Sequence, residues 1–68
     1  MNKFSERLKE LRLEKNLSQR ELAKELNISQ AAIARWESNL HIPNIENAIM
    51  IVTYFGVTTD YLLGLDDN

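Results

Sequence analysis

The sequence predicts an all-α domain of five short helices. Apolar residues recur at steps of three and four, and four of the five stripes are preceded by Ser, Thr or Asn. No stretch alternates with period two over a useful length, so no sheet is expected. Sixty-eight residues allow one small domain, taken as residues 1–68. Five helices in that length leave only short joints, which means a compact bundle.

The first helix carries Phe4, Leu8, Leu11 and then Lys15 in one stripe, and Asn16 suits a left-handed cap at its end. Ser18-Gln19-Arg20-Glu21 fits the capping box S-x-x-E, so a second helix begins at about Gln19. It turns Leu22, Ala23 and Leu26 inward and stops at Asn27, after which Ile28 packs back. Ser29 caps a third helix over Gln30 to about Glu37, with Ala32, Ile33 and Trp36 inward and Asn39 ending it. Leu40 to Pro43 reads as a loop held by two apolar residues, with Pro43 disfavouring helix at Ile42. Asn44 caps a fourth helix, stopped by Gly56, whose expected inward face is Ile45, Ala48, Ile49, Val52 and Phe55. Thr58 caps a last short helix with Tyr61, Leu62 and Leu65 on its apolar side.

Composition narrows the function classes. With no cysteine there is neither a disulfide nor a thiolate metal site, and the single His41 makes no zinc centre. There is no glycine-rich phosphate loop, no nucleophile–base pair and no room for an enclosed pocket. Neither an enzyme nor a cofactor, metal or small-molecule substrate is expected. The longest apolar run, Ala48 to Val52, is far short of the roughly 20 residues of a membrane span. MNKFSERLKE places charges where a signal peptide has its apolar core, so the cytoplasm is the expected compartment.

The net charge of −2 weighs lightly against a polyanionic partner. It hides an asymmetry, however. All eight cations lie between Lys3 and Arg35, against six acids up to Glu37. From Ser38 onward there are four acids and no cation. The positive half carries the second and third helices, joined by only Asn27, Ile28 and the cap Ser29. So short a joint favours a crossing nearer perpendicular, the helix-turn-helix unit, at about residues 18–38.

The run LSQRELAKELNISQAAIARWESN resembles the helix-turn-helix of the lambda-repressor/Cro-like (Xre-type) DNA-binding domains. The following PNIENAIMIVTYFGVTTDYLLG resembles the rest of that five-helix fold. The likeness covers about residues 4 to 64, with S-Q-x-E-L-A, I-x-x-W-E and D-Y-L-L-G in order at the family's spacing. It implies a lambda-repressor-like fold and a sequence-specific regulator, with repression the expected sign. Such a regulator acts as a homodimer on a palindromic site in double-stranded DNA. An alternative of another class is a protein-interaction module on the same fold, an antitoxin or anti-regulator binding a partner protein.

The resemblance also implies roles for individual residues. Gln19 aligns with a glutamine that touches a DNA phosphate, where free amides at a helix start favour an anion. Arg20, Ser29, Ser38, Asn39 and His41 are further candidates for the DNA backbone. With Ala32, Ile33 and Trp36 inward, Gln30, Ala31, Ala34 and Arg35 face outward as candidates for base contact. Gln30 suits adenine, Ala31 a thymine methyl, and Arg35 guanine or a phosphate, while Ala34 is small enough to let the helix approach. Arg12 and Glu37 match positions that form a mostly buried structural ion pair. Val57, Tyr61 and Leu65 are apolar candidates for a dimer face. The sequence departs from the family at Asn16, Asn27 and Asn39, where glycine is frequent, and in the loop after Ser38, which lacks the usual cations.

Overall fold

The structure, a computed structural model, describes residues 3–65. Asp66 and Asp67, counted above in the acidic half, lie outside the described residues. The elements are α1 (Phe4–Glu14), α2 (Gln19–Leu26), α3 (Gln30–Glu37), α4 (Ile45–Phe55) and α5 (Thr59–Leu63), with no strand among the described residues. The fold measures 29 × 23 × 20 Å. Helices α2 and α3 pack on each other, α1 lies against α3 and α5, and α4 against α5 and α2.

Each expected N-cap forms. Ser18, Ser29, Asn44 and Thr58 accept from the amides of Glu21, Ala32, Asn47 and Tyr61 respectively. The capping box at Ser18 is complete, because Glu21 Oε1 also accepts from the Ser18 amide at 2.8 Å. That backbone hydrogen bond holds the Glu21 carboxyl below the usual carboxylate range. The helix ends are equally explicit. Asn16, Asn27 and Asn39 all take left-handed φ, at 58°, 58° and 65°. Gly64 combines a left-handed φ of 78° with a close approach: a Cβ there would lie 2.9 Å from Lys3 Cβ.

The core is Phe4, Leu8, Leu11, Leu22, Ala23, Leu26, Ile33, Trp36, Ile51 and Leu62, with Leu17, Ile28 and Ala32 packed against it. Trp36 meets the Phe4 ring edge-on at 6.3 Å between centroids, as a packing residue. One stripe differs from expectation. Ile45 and Ile49 are 79% and 54% exposed, whereas Ile51, absent from the expected inward face, is fully buried. The sequence IENAIMIVTYF supports two stripes at three-four spacing, and the helix buries Ile51, with Met50, Val52, Tyr54 and Phe55 packed against the core. Leu40 and Ile42 are also exposed, so apolar burial does not hold the α3–α4 loop. Leu65 likewise stays outside the core.

Two arginines hold the helices from within. Arg7 donates from Nη1 to the Tyr61 carbonyl at 2.6 Å and lies 4.2 Å from the Tyr61 ring centroid, tying α1 to the last turn of α5. Arg12 makes the expected pair. Its Nε and Nη2 donate to Glu37 Oε2 and Oε1 at 2.7 and 2.8 Å, and its Nη1 donates to the Leu17 carbonyl at 2.7 Å. The bonds to Glu37 raise the Arg12 pKa above its ordinary value, against the opposing effect of burial. The two side chains are 9% and 4% exposed, so neither charge has water to fall back on.

Two comparisons test this packing in urea unfolding. Ile51→Ala should cost about 2–5 kcal/mol, and Ile45→Ala no more than about 0.5 kcal/mol; equal losses would contradict the orientation of α4. Arg12→Met should cost about 3–5 kcal/mol, because it leaves the Glu37 carboxylate buried and unpaired. The double substitution Arg12→Met, Glu37→Leu should recover most of that loss. A double variant as unstable as the single one would refute the pairing argument.

Candidate nucleic-acid interface

The capped turn Asn27–Ser29 sets α3 against α2. The left-handed Asn27 ends α2, the Ile28 amide bonds back to the Ala23 carbonyl at 3.0 Å, and Ser29 opens α3. Burial of Ile33 and Trp36 then fixes the rotation of α3 about its axis. Gln30, Ala31 and Arg35 are exposed and Ala34 half-buried, as the spacing predicts. Ala31, Ala34 and Arg35 follow at steps of three and four, and Gln30 and Ala34 are four apart, so these residues share the outer side. The two alanines keep the middle of that side low.

Gln19 and Arg20 form the first turn of α2, with Gln19 half-buried and Arg20 exposed. Ser29 Oγ accepts from the Ala32 amide at 3.2 Å, which leaves its hydroxyl hydrogen for an outside acceptor. Ser38 is arranged differently: its hydroxyl donates to the Arg35 carbonyl at 3.1 Å, closing the end of α3. Asn39 and His41 are exposed on the following loop. Of the candidate dimer residues, Val57 and Tyr61 are half-buried against the core and Leu65 is exposed.

Two features lay beyond the sequence reading. Gln19 Nε2 donates to Glu37 Oε1 at 3.2 Å, so the glutamine shares the acceptor of the Arg12 pair. The positions are 18 residues apart on different helices, and no spacing rule links them. The second feature is Arg7, half-buried against Tyr61 and so withdrawn from the surface alongside the expected Arg12. With Arg7 and Arg12 turned inward, Arg20, Lys24 and Arg35 are the exposed cations of the helix-turn-helix itself. Among the described residues no group of His, Asp and Glu is placed to hold a metal ion. No helix among them is long and apolar enough to cross a membrane.

Known proteins share this fold. The chain is 47% identical over 60 residues to the HTH-type transcriptional activator BcrR of Enterococcus faecalis, covering 88% of this chain and 29% of that protein. It is 34% identical over 64 residues to the HTH-type transcriptional regulator ImmR of Bacillus subtilis (strain 168), covering 94% of this chain and 50% of that one. The chain thus spans half or less of the length of these two relatives. A crystal structure of a transcriptional regulator from Listeria innocua superposes with a TM-score of 0.86 at 33% identity, over 94% of this chain and 60% of that one. The sequence family described as Helix-turn-helix (HTH_3) matches residues 8–62. The five-helix order, the capped turn between α2 and α3 and this match over most of the chain place it in the Xre/lambda-repressor-like helix-turn-helix family.

Proposed function

We propose that this domain binds double-stranded DNA in a sequence-dependent manner and regulates transcription, with α3 lying in the major groove. The observation that carries this reading is the outer side of α3. Gln30, Ala31, Ala34 and Arg35 lie together there, close in sequence to the capped helix start that holds Ser29. Gln30 offers a carboxamide that matches adenine N6 and N7, and Arg35 a guanidinium that matches guanine O6 and N7 or a phosphate. Ala31 leaves room for a thymine methyl. Gln19, Arg20 and Ser29 at the starts of α2 and α3 supply phosphate donors, helped by the positive helix ends. Asn39 and His41 extend the backbone contacts along the loop, and Ser38 joins them by turning its hydroxyl away from Arg35.

Homodimerisation belongs to the same reading, because one α3 reaches only a few base pairs. Two copies on a palindrome place their helices about one turn, ~34 Å, apart. Apolar side chains outside the core support a second copy as partner. Ile42, Ile45 and Ile49 stand exposed on the loop and α4, and Leu65 follows α5. Beside them Ile42, Pro43, Ile45, Ala48 and Leu62 line a cleft of about 200 Å³. Repression follows where the operator overlaps a promoter, although the Enterococcus faecalis relative is named an activator. A DNA partner makes the cytoplasm the working compartment.

The test is a salt series on a duplex selected from a random pool. Arg20 and Arg35 are the exposed cations placed at the duplex, so a two-copy complex should show a shallow dependence, a log–log slope of about −2 to −4. Arg35→Ala should weaken the selected duplex by about 1–3 kcal/mol without changing the unfolding curve. A chain that shifts no duplex in the pool, or binds independently of salt, would contradict the reading and favour a protein partner. Unchanged affinity in Arg35→Ala would contradict the orientation of α3.

A further inference from the structure

We propose that Glu37 is a positioning residue for the phosphate contact of Gln19, an inference that rests on the DNA-binding reading above. The Glu37 carboxylate stands at the last residue of α3, where the helix dipole disfavours it, and is retained by the two bonds from Arg12. Its Oε1 accepts a third donor, Gln19 Nε2, at 3.2 Å. A carboxylate has no hydrogen to give, so the Gln19 carboxamide must turn its nitrogen toward Glu37. One Nε2 hydrogen is used in that bond. The other remains at the start of α2, beside the amides that would receive a phosphate oxygen.

This arrangement has two consequences. A solvated glutamine loses rotamer freedom when it docks, whereas here much of that freedom is already lost in the unbound protein. The bond also links the first residue of α2 to the last residue of α3. The phosphate donor and the recognition helix therefore move as one body, and the phosphate contact sets the register in which Gln30 and Arg35 meet the bases. Arg12 acts one step further back, by holding the carboxylate that holds the glutamine.

A double-mutant cycle on duplex affinity tests the coupling, with Gln19→Ala, Glu37→Gln and the double variant measured on the selected duplex at one salt concentration. Each single substitution should weaken binding about tenfold, and the double variant should also lose about tenfold, not a hundredfold. Losses that multiply, or either single variant binding as the wild type does, would overturn the proposal. Glu37→Gln weakens the Arg12 pair and lowers the unfolding temperature in either case, so thermal unfolding is recorded for every variant to set an assay temperature at which all are folded; a purely structural role for Glu37 would multiply with Gln19→Ala. Should Glu37→Gln be unfolded at the assay temperature, the wild-type chain still decides. One Gln19 Nε2 proton should exchange more slowly than those of Gln30 in the free protein and stay protected on the duplex. Loss of that protection on binding would overturn the proposal. A wild type that binds no duplex would instead refute the DNA-binding reading, a result distinct from a wild type that binds while the cycle shows no coupling.

Discussion

Three segments of the chain meet at the Arg12–Glu37 pair. Arg12 comes from the last turn of α1, its Nη1 reaches the Leu17 carbonyl just before α2, and the carboxylate ends α3. Two buried charges are a costly way to gain stability, since their desolvation offsets most of their attraction. What such a pair supplies is geometry. A guanidinium gripping a carboxylate through two parallel bonds accepts few orientations, and each helix carrying a partner inherits that restriction. In a domain this small, with ten buried apolar core residues among those described, the restriction sets the angle at which α3 is offered to a partner.

The turns complete what the pair begins. Three asparagines at positive φ close α1, α2 and α3, each with the backbone bending away from the helix it ends. An L-residue enters that region at a cost of roughly 1–2 kcal/mol, lowest for Asn and Asp. The domain accepts that cost at Asn16, Asn27 and Asn39. In return the unfolded chain is less free than it would be with glycine, and part of the cost is offset. Short, well-defined joints follow, and α2 and α3 cannot swing relative to each other without breaking a cap.

The net charge of −2 likewise reads differently once the cations are placed. Arg7 and Arg12 serve the interior, leaving Arg20, Lys24 and Arg35 exposed along the helix-turn-helix. In the proposed complex, discrimination by shape and hydrogen bonding would then outweigh general attraction to a polyanion. Much of this was legible in advance, because caps are local: Ser18, Ser29, Asn44 and Thr58 each declare a helix start within four residues. The rotation of α3 was legible as well, since Ile33 and Trp36 leave no rival stripe. The rotation of α4 was not. Its run is apolar on nearly every side, and only the shape of the core selects Ile51 over Ile45 and Ile49. Gln19 shows a second kind of limit, for the family resemblance suggested a phosphate while its bond to Glu37 depends on how three helices pack.

In the proposed complex this packing presents one rigid surface, the outer side of α3 with the start of α2, to a DNA duplex. Backbone amide chemical shifts of the labelled protein, followed during titration with a selected duplex, test this. The largest changes should fall on Gln19, Arg20, Ser29, Gln30, Ala31, Ala34 and Arg35, with the amides of Leu8, Leu22 and Ile51 in the core little altered. Changes centred on α5 and the exposed side of α4, with α3 silent, would contradict it.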